Sequence, residues 1–203
     1  MNNYDLIPNT DTIETLFIME SPYKEEIRVG LPCVGESGKV MSYKILDGDS
    51  SLAFGYYLNN QKGKTCKFGI MNTFNFPIDR EVCGENQFSV LKDVPYTKYT
   101  NRIQHYNDLF SKLNELTDGK RIEESYQRLI GYLQNSPTIK NIVICGYIAQ
   151  SVYVHNFNKK NDIPRYNTQT NEVCPSGREL NILFVNHPSP KNGKWIFQLN
   201  NLK

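Results

Sequence analysis

Residues 142–147 read IVICGY, and this stretch decides the fold class. Four apolar residues in a row are too few for a helix and suit a strand buried on both faces. Gly146 ends the run. From Tyr147 onward Ala149, Val152 and Tyr153 recur at helical spacing and face inward. Three further apolar runs have the same character: residues 15–19 (TLFIM), 68–71 (FGIM) and 182–185 (ILFV). Between them lie helical faces. Ile103, Tyr106, Leu109, Leu113 and Leu116 share one side, as do Ile122, Tyr126, Leu129, Ile130 and Leu133, and Pro137 closes the second. A helix following Gly38 is expected to bury Val40, Met41 and Ile45. Strands alternating with helices predict an α/β fold, a three-layer α/β/α sandwich around a central four-stranded, mainly parallel sheet. Residues 83–100 and 156–178 are polar, contain Gly and Pro, and read as loops.

The 203 residues suffice for one core, so a single domain over residues 1–203 is expected. Apolar content of 39% and charged content of 22% suit a soluble globular chain. There is no apolar run of about 18 residues, the length a membrane span needs. The first eleven residues are polar and acidic, unlike a signal peptide, so a cytoplasmic location is expected. Cys33, Cys66, Cys83, Cys145 and Cys174 form no CxxC pair, which argues against zinc and iron–sulfur sites and for free thiols. Charge is uneven. Residues 1–137 hold 15 Lys+Arg and 18 Asp+Glu, whereas residues 138–203 hold 8 and 3. A basic final third suits contact with phosphate, or simply a solvated surface.

Ligands of parallel sheets bind at the carboxyl ends of the strands, and there this sequence becomes specific. After the first run comes Glu20-Ser21-Pro22-Tyr23, and soon after it Gly30-Leu31-Pro32-Cys33-Val34-Gly35-Glu36-Ser37-Gly38. After the second run comes Asn72. After the fourth comes His187-Pro188-Ser189-Pro190-Lys191-Asn192-Gly193-Lys194-Trp195.

In this order, the set resembles the uracil-DNA glycosylase superfamily. Pro22-Tyr23 is similar to the Pro-Tyr of the classical branch's water-activating loop. Glu20 with the Gly30 to Gly38 segment is more similar to the thermophilic iron–sulfur branch. The last block is similar to the HPSP motif, and its Lys-Asn and Lys-Trp resemble the single-strand-selective branch. The resemblance runs through most of the chain. It implies a DNA glycosylase without cofactor that hydrolyses the bond between sugar and flipped base, acting in base excision, in DNA repair or in defence against viruses with altered DNA.

The chemistry fits those residue types. Breaking an N-glycosidic bond puts negative charge on the base and positive charge on the sugar. His187 is the candidate donor to the base oxygen. Glu20 is the candidate carboxylate beside the sugar, with Ser21 next to it. Asn72 offers a donor and an acceptor to a base edge, and Tyr23 and Cys33 are candidate pocket walls. Ser189, Lys191 and Lys194 suit DNA phosphates, with a wedge somewhere in residues 191–195. Each has a plainer alternative: a structural His, a capping Glu, a turn-closing Asn, a core Trp195. The run Gly35-Glu36-Ser37-Gly38-Lys39 imitates a phosphate-binding loop, but Cys33 and Val40 occupy two of its required positions, and no nucleotide cofactor is expected. Two departures stand out. Ser21 replaces the classical Asp, shifting weight to Glu20, and Cys33 replaces a Phe that stacks on the base. The iron–sulfur cysteines are missing. Without the stacking ring, the substrate is uracil or a bulkier modified pyrimidine. The rival reading is a catalytically inactive DNA-binding module of the same fold.

Overall fold

Each of the four apolar runs forms a strand, and together they make the parallel part of one sheet. In the computed structural model, which describes residues 4–78, 102–117, 119–156, 169–173 and 177–189, these are β1 (Thr15–Met19), β2 (Phe68–Asn72), β3 (Asn141–Cys145) and β5 (Glu179–Val185). A fifth strand, β4 (Gln169–Val173), pairs antiparallel with β5. The sheet order is β2-β1-β3-β5-β4. β4 lies inside the segment 156–178 read as a loop. Its sequence QTNEV has no apolar run, and an edge strand of antiparallel pairing does not require one.

Alternation along the strands sorts the core into two layers. Phe17, Met19, Ile70, Val143, Cys145, Leu183 and Val185 face one side with Met41, Phe54 and Leu58. Leu16, Ile18, Met71, Ile142, Ile144, Ile182 and Phe184 face the other with Leu129, Leu133, Ala149 and Tyr153. The first side is covered by α2 (Glu36–Ile45) and α3 (Phe54–Asn60), which follow the short α1 (Lys24–Val29). The second is covered by α5 (Lys120–Asn135) and α6 (Tyr147–Asn156). α4 (Arg102–Leu116) joins them through Leu109 and Leu113, which cluster with Ile122, Ile148 and Val152. The three-layer sandwich expected from the sequence is therefore present. Helix α2 begins at Glu36, so Gly38 lies within it, and of its three apolar positions only Met41 is fully buried. A Cβ on Gly38 would stand 1.8 Å from the Cys33 carbonyl oxygen, so the close pass of that loop over α2 requires glycine.

The connections leave the sheet in opposite directions. β1 runs out toward the α2–α3 layer, and β3 runs out into α6 on the other layer. β1 and β3 are neighbours, so their carboxyl ends flank a crevice of the kind in which such sheets bind ligands. At the opposite end of the strands the register is pinned by a polar ladder. Asn141 Nδ2 donates to Thr15 Oγ1 at 3.2 Å, and Asn181 Nδ2 to Asn141 Oδ1 at 3.0 Å. The outer edge of β2 is met by the N-terminal segment, where Leu6 and Ile70 exchange backbone hydrogen bonds of 2.8 and 2.9 Å in an antiparallel bridge. Beside it Asp5, its side chain buried, pairs with Arg128 of α5. Among the described residues no helix is long and apolar enough to cross a membrane.

Candidate active site

Glu20 is the first residue beyond β1, and its backbone is held before its side chain is. Its carbonyl accepts the Phe74 N–H at 3.0 Å, and the Met19 carbonyl accepts the Thr73 N–H at 2.8 Å. The exits of β1 and β2 are thereby tied together. The carboxylate reaches across β3: Oε1 accepts the N–H of Ile148 at 3.1 Å. Ile148 is the second residue of α6, where backbone N–H groups have no partner within the helix and the helix dipole is positive. Gly146 makes the approach possible. It has φ +90°, and a Cβ there would stand 2.3 Å from Glu20 Oε1. The carboxylate thus lies over the end of β3, in the crevice where the connections diverge.

His187 leaves the sheet two residues past β5 and is half-buried, with Pro188 buried behind it. Its carbonyl accepts the Ser189 N–H at 2.7 Å, which fixes the turn. β1 and β5 flank β3, so Glu20 and His187 rise from strands two spacings apart, roughly 9–10 Å.

Ser21 and Pro22 lead from Glu20 into the start of α1, where Tyr23 is the N-cap and is 41% exposed. Glu26, which the sequence reading passed over, ties this loop to the next. Its Oε2 accepts the Tyr23 N–H at 2.7 Å, and its Oε1 accepts the Cys33 N–H. Burial pushes the Glu26 carboxyl above the usual carboxylate range, while the two N–H groups pull the other way. Cys33 is 1% exposed, has φ +51°, and packs with Met19, Cys145 and Val185 at the strand ends. Its carbonyl accepts the Gly55 N–H at 2.9 Å. Burial, with Glu26 and Cys145 adding to it, holds the Cys33 thiol well above its ordinary range, the opposite of what a reactive thiolate needs.

Asn72 ends β2 and is buried. Its Nδ2 donates to the Tyr4 carbonyl at 2.8 Å, and its own N–H goes to Asp5 Oδ1 at 2.9 Å. Arg128 Nη2 then binds the Asn72 and Thr73 carbonyls at 2.8 and 3.0 Å. A cleft of about 330 Å³ opens one residue beyond Asn72, lined by Thr73, Phe74, Phe76, Arg121 and Arg128 among others. None of the residues selected from the sequence lines it.

The fold thus gathers Glu20, Ser21, Tyr23, Cys33, Asn72, His187 and Ser189 at the carboxyl edge of the sheet. Lys191, Lys194 and Trp195 lie outside the described residues. The sequence reading missed Gly146, the Ile148 N–H, Glu26 and Gln150, whose amide binds the carbonyls of Ile144 and Val185. A glycine between a strand and a helix was a visible signal for the first of these; the others depend on contacts between distant segments. Among the described residues no group of three His, Cys, Asp or Glu side chains is placed to hold a metal ion. No protein-family model matches the chain, and no curated protein matches it.

Proposed function

We propose that the chain is a monofunctional DNA glycosylase that hydrolyses the N-glycosidic bond of a flipped-out base, uracil or a bulkier modified pyrimidine. The observation that carries the reading is that the fold brings a carboxylate over the end of β3 and a histidine just beyond the adjacent strand β5. Glu20 lies in the crevice where the connections diverge, and His187 leaves the neighbouring strand exit.

In this mechanism the C1′–N bond breaks with its electron pair going to the base. His187 donates a hydrogen bond to the base oxygen on which that charge collects. Glu20 faces the positive sugar and orients the water whose oxygen bonds to C1′; the water's O–H bond breaks with its proton passing to the Glu20 carboxylate and on to solvent, and the departed base anion takes a proton from solvent. Tyr23 flanks the flipped base with Cys33 buried behind it, Asn72 reads the base edge, and Ser189 with Lys191 and Lys194 contacts phosphate. No cofactor enters the chemistry. DNA is the partner.

Two hydrogen bonds favour the second reading, a DNA-binding module without catalysis. Glu20 caps α6, and Asn72 commits an amide hydrogen to Tyr4. Single-turnover release from a panel of duplexes, each with one damaged or modified base, separates the two. The glycosylase reading expects release from at least one duplex, and a loss of about 10²–10³-fold in His187→Ala with little change in DNA affinity. DNA binding without release from any duplex would establish the module instead.

A further inference from the structure

We infer that Gln150 is a positioning residue for base release: it locks the exit of β5, and with it His187, to the helix whose first turn holds the Glu20 carboxylate. The inference rests on the glycosylase reading for its reaction. Gln150 lies in the first turn of α6 and is fully buried. Its Nε2 donates to two carbonyls at the ends of adjacent strands, Ile144 of β3 at 3.2 Å and Val185 of β5 at 2.7 Å. Its Oε1 accepts the hydroxyl of Tyr106 in α4 at 2.6 Å. The Val185 carbonyl also accepts the Gly146 N–H at 2.9 Å. On the same turn, Ile148 holds Glu20. One turn of helix therefore grips both flanks of the crevice.

Packing alone does not call for an amide here, because the neighbours Ala149, Val152, Tyr153 and Val154 are buried and mostly apolar. What the amide adds is direction. A buried amide bonded at both ends fixes its partners, since a broken bond leaves a desolvated polar group behind. His187 stands two residues past Val185, so little chain lies between them to absorb a shift. A displacement of about 1 Å in a reacting group costs on the order of 10²-fold in rate.

The test compares Gln150→Glu, Gln150→Met and Tyr106→Phe. Gln150→Glu keeps the size and the acceptor for Tyr106 but, when ionised, donates to neither carbonyl. At alkaline pH its kcat for base release should fall about 10²-fold with KM within about threefold. Protonation returns one donor, so kcat should recover toward acid pH more steeply than in the wild type. Gln150→Met fills the same volume without charge and serves if the first variant does not fold. Tyr106→Phe spares both carbonyl bonds and should change kcat by less than about threefold. The ring NMR signals of His187 should move in the Gln150 variants. Those of His155, stacked 3.9 Å from Phe110 at the far end of α6, should stay. Unmoved His187 signals in a folded variant overturn the inference, and so does an equal kcat loss in Tyr106→Phe. Absence of base release by the wild type would instead defeat the glycosylase reading, and the His187 signals would still decide whether Gln150 positions that ring.

Discussion

A methyl group added to Gly146 would stand 2.3 Å from Glu20 Oε1, on a backbone with φ +90°. The first effect pushes the carboxylate off the Ile148 N–H, and the second strains any side chain at that position by about 1–3 kcal/mol. Gly146→Ala should therefore destabilise the fold, and the penalty should shrink in a Glu20→Ala background, where only the backbone strain remains. A urea double-mutant cycle measures the difference; equal penalties in both backgrounds would mean that the carboxylate does not lie over this glycine. Glu26 gives a pH signature of the opposite kind from a surface ion pair. Its folded pKa is raised above the ordinary 4.5. Its contribution is present in full below that value and is lost as pH rises through the folded pKa. Wild type should therefore lose stability relative to Glu26→Gln across that window, on top of a constant loss of about 1 kcal/mol in the variant for one missing hydrogen bond. A stability difference flat in pH would show that burial does not penalise this carboxylate. The places of Glu20 and His187 just past β1 and β5 were legible because strand ends are legible. That Glu20 could cap a helix was readable too; that the helix is α6 was not, since the contact joins residues 128 apart in the chain.

At the scale of elements, the legible parts were those with an unbroken apolar run or a helical period. The four apolar runs became strands, and the faces through Leu109 and Leu129 became α4 and α5. α1 and α3 are six and seven residues long, too short to show a repeat, and β4 has no apolar run. Contacts that join elements were invisible for the same reason as the cap. Arg128 of α5 pairs with Asp5 and binds the carbonyls that leave β2. The Asp5 side chain is 1% exposed and is also held by the Tyr132 hydroxyl at 2.9 Å. Arg128→Met would strand a buried carboxylate, so a loss of about 3–5 kcal/mol is expected in urea unfolding. Asp5→Asn in the same chain should recover much of it. A loss below about 1 kcal/mol would mean that water reaches Asp5 and the pair is worth no more than a surface one.

For the whole molecule, the sheet order matters more than the number of strands. Because β1 and β3 send their connections to opposite layers, the crevice between them arises from chain routing, and the side chains at its rim are supplied by loops. A sequence read one run at a time gives the strands but not their order, which is why the residues at the rim could be named while their neighbours could not. The far edge of β2 follows a different logic. An uncovered strand edge is a template on which a second chain can pair and aggregate. Here Leu6 already occupies the backbone groups of Ile70, and Asp5 beside it is fastened by Arg128. A foreign strand would have to displace that segment and break a buried ion pair before gaining its first hydrogen bond. The defence against edge-to-edge self-association therefore lies in charge pairing between the chain's beginning and α5, and weakening that pair exposes the sheet to polymerisation as well as to unfolding.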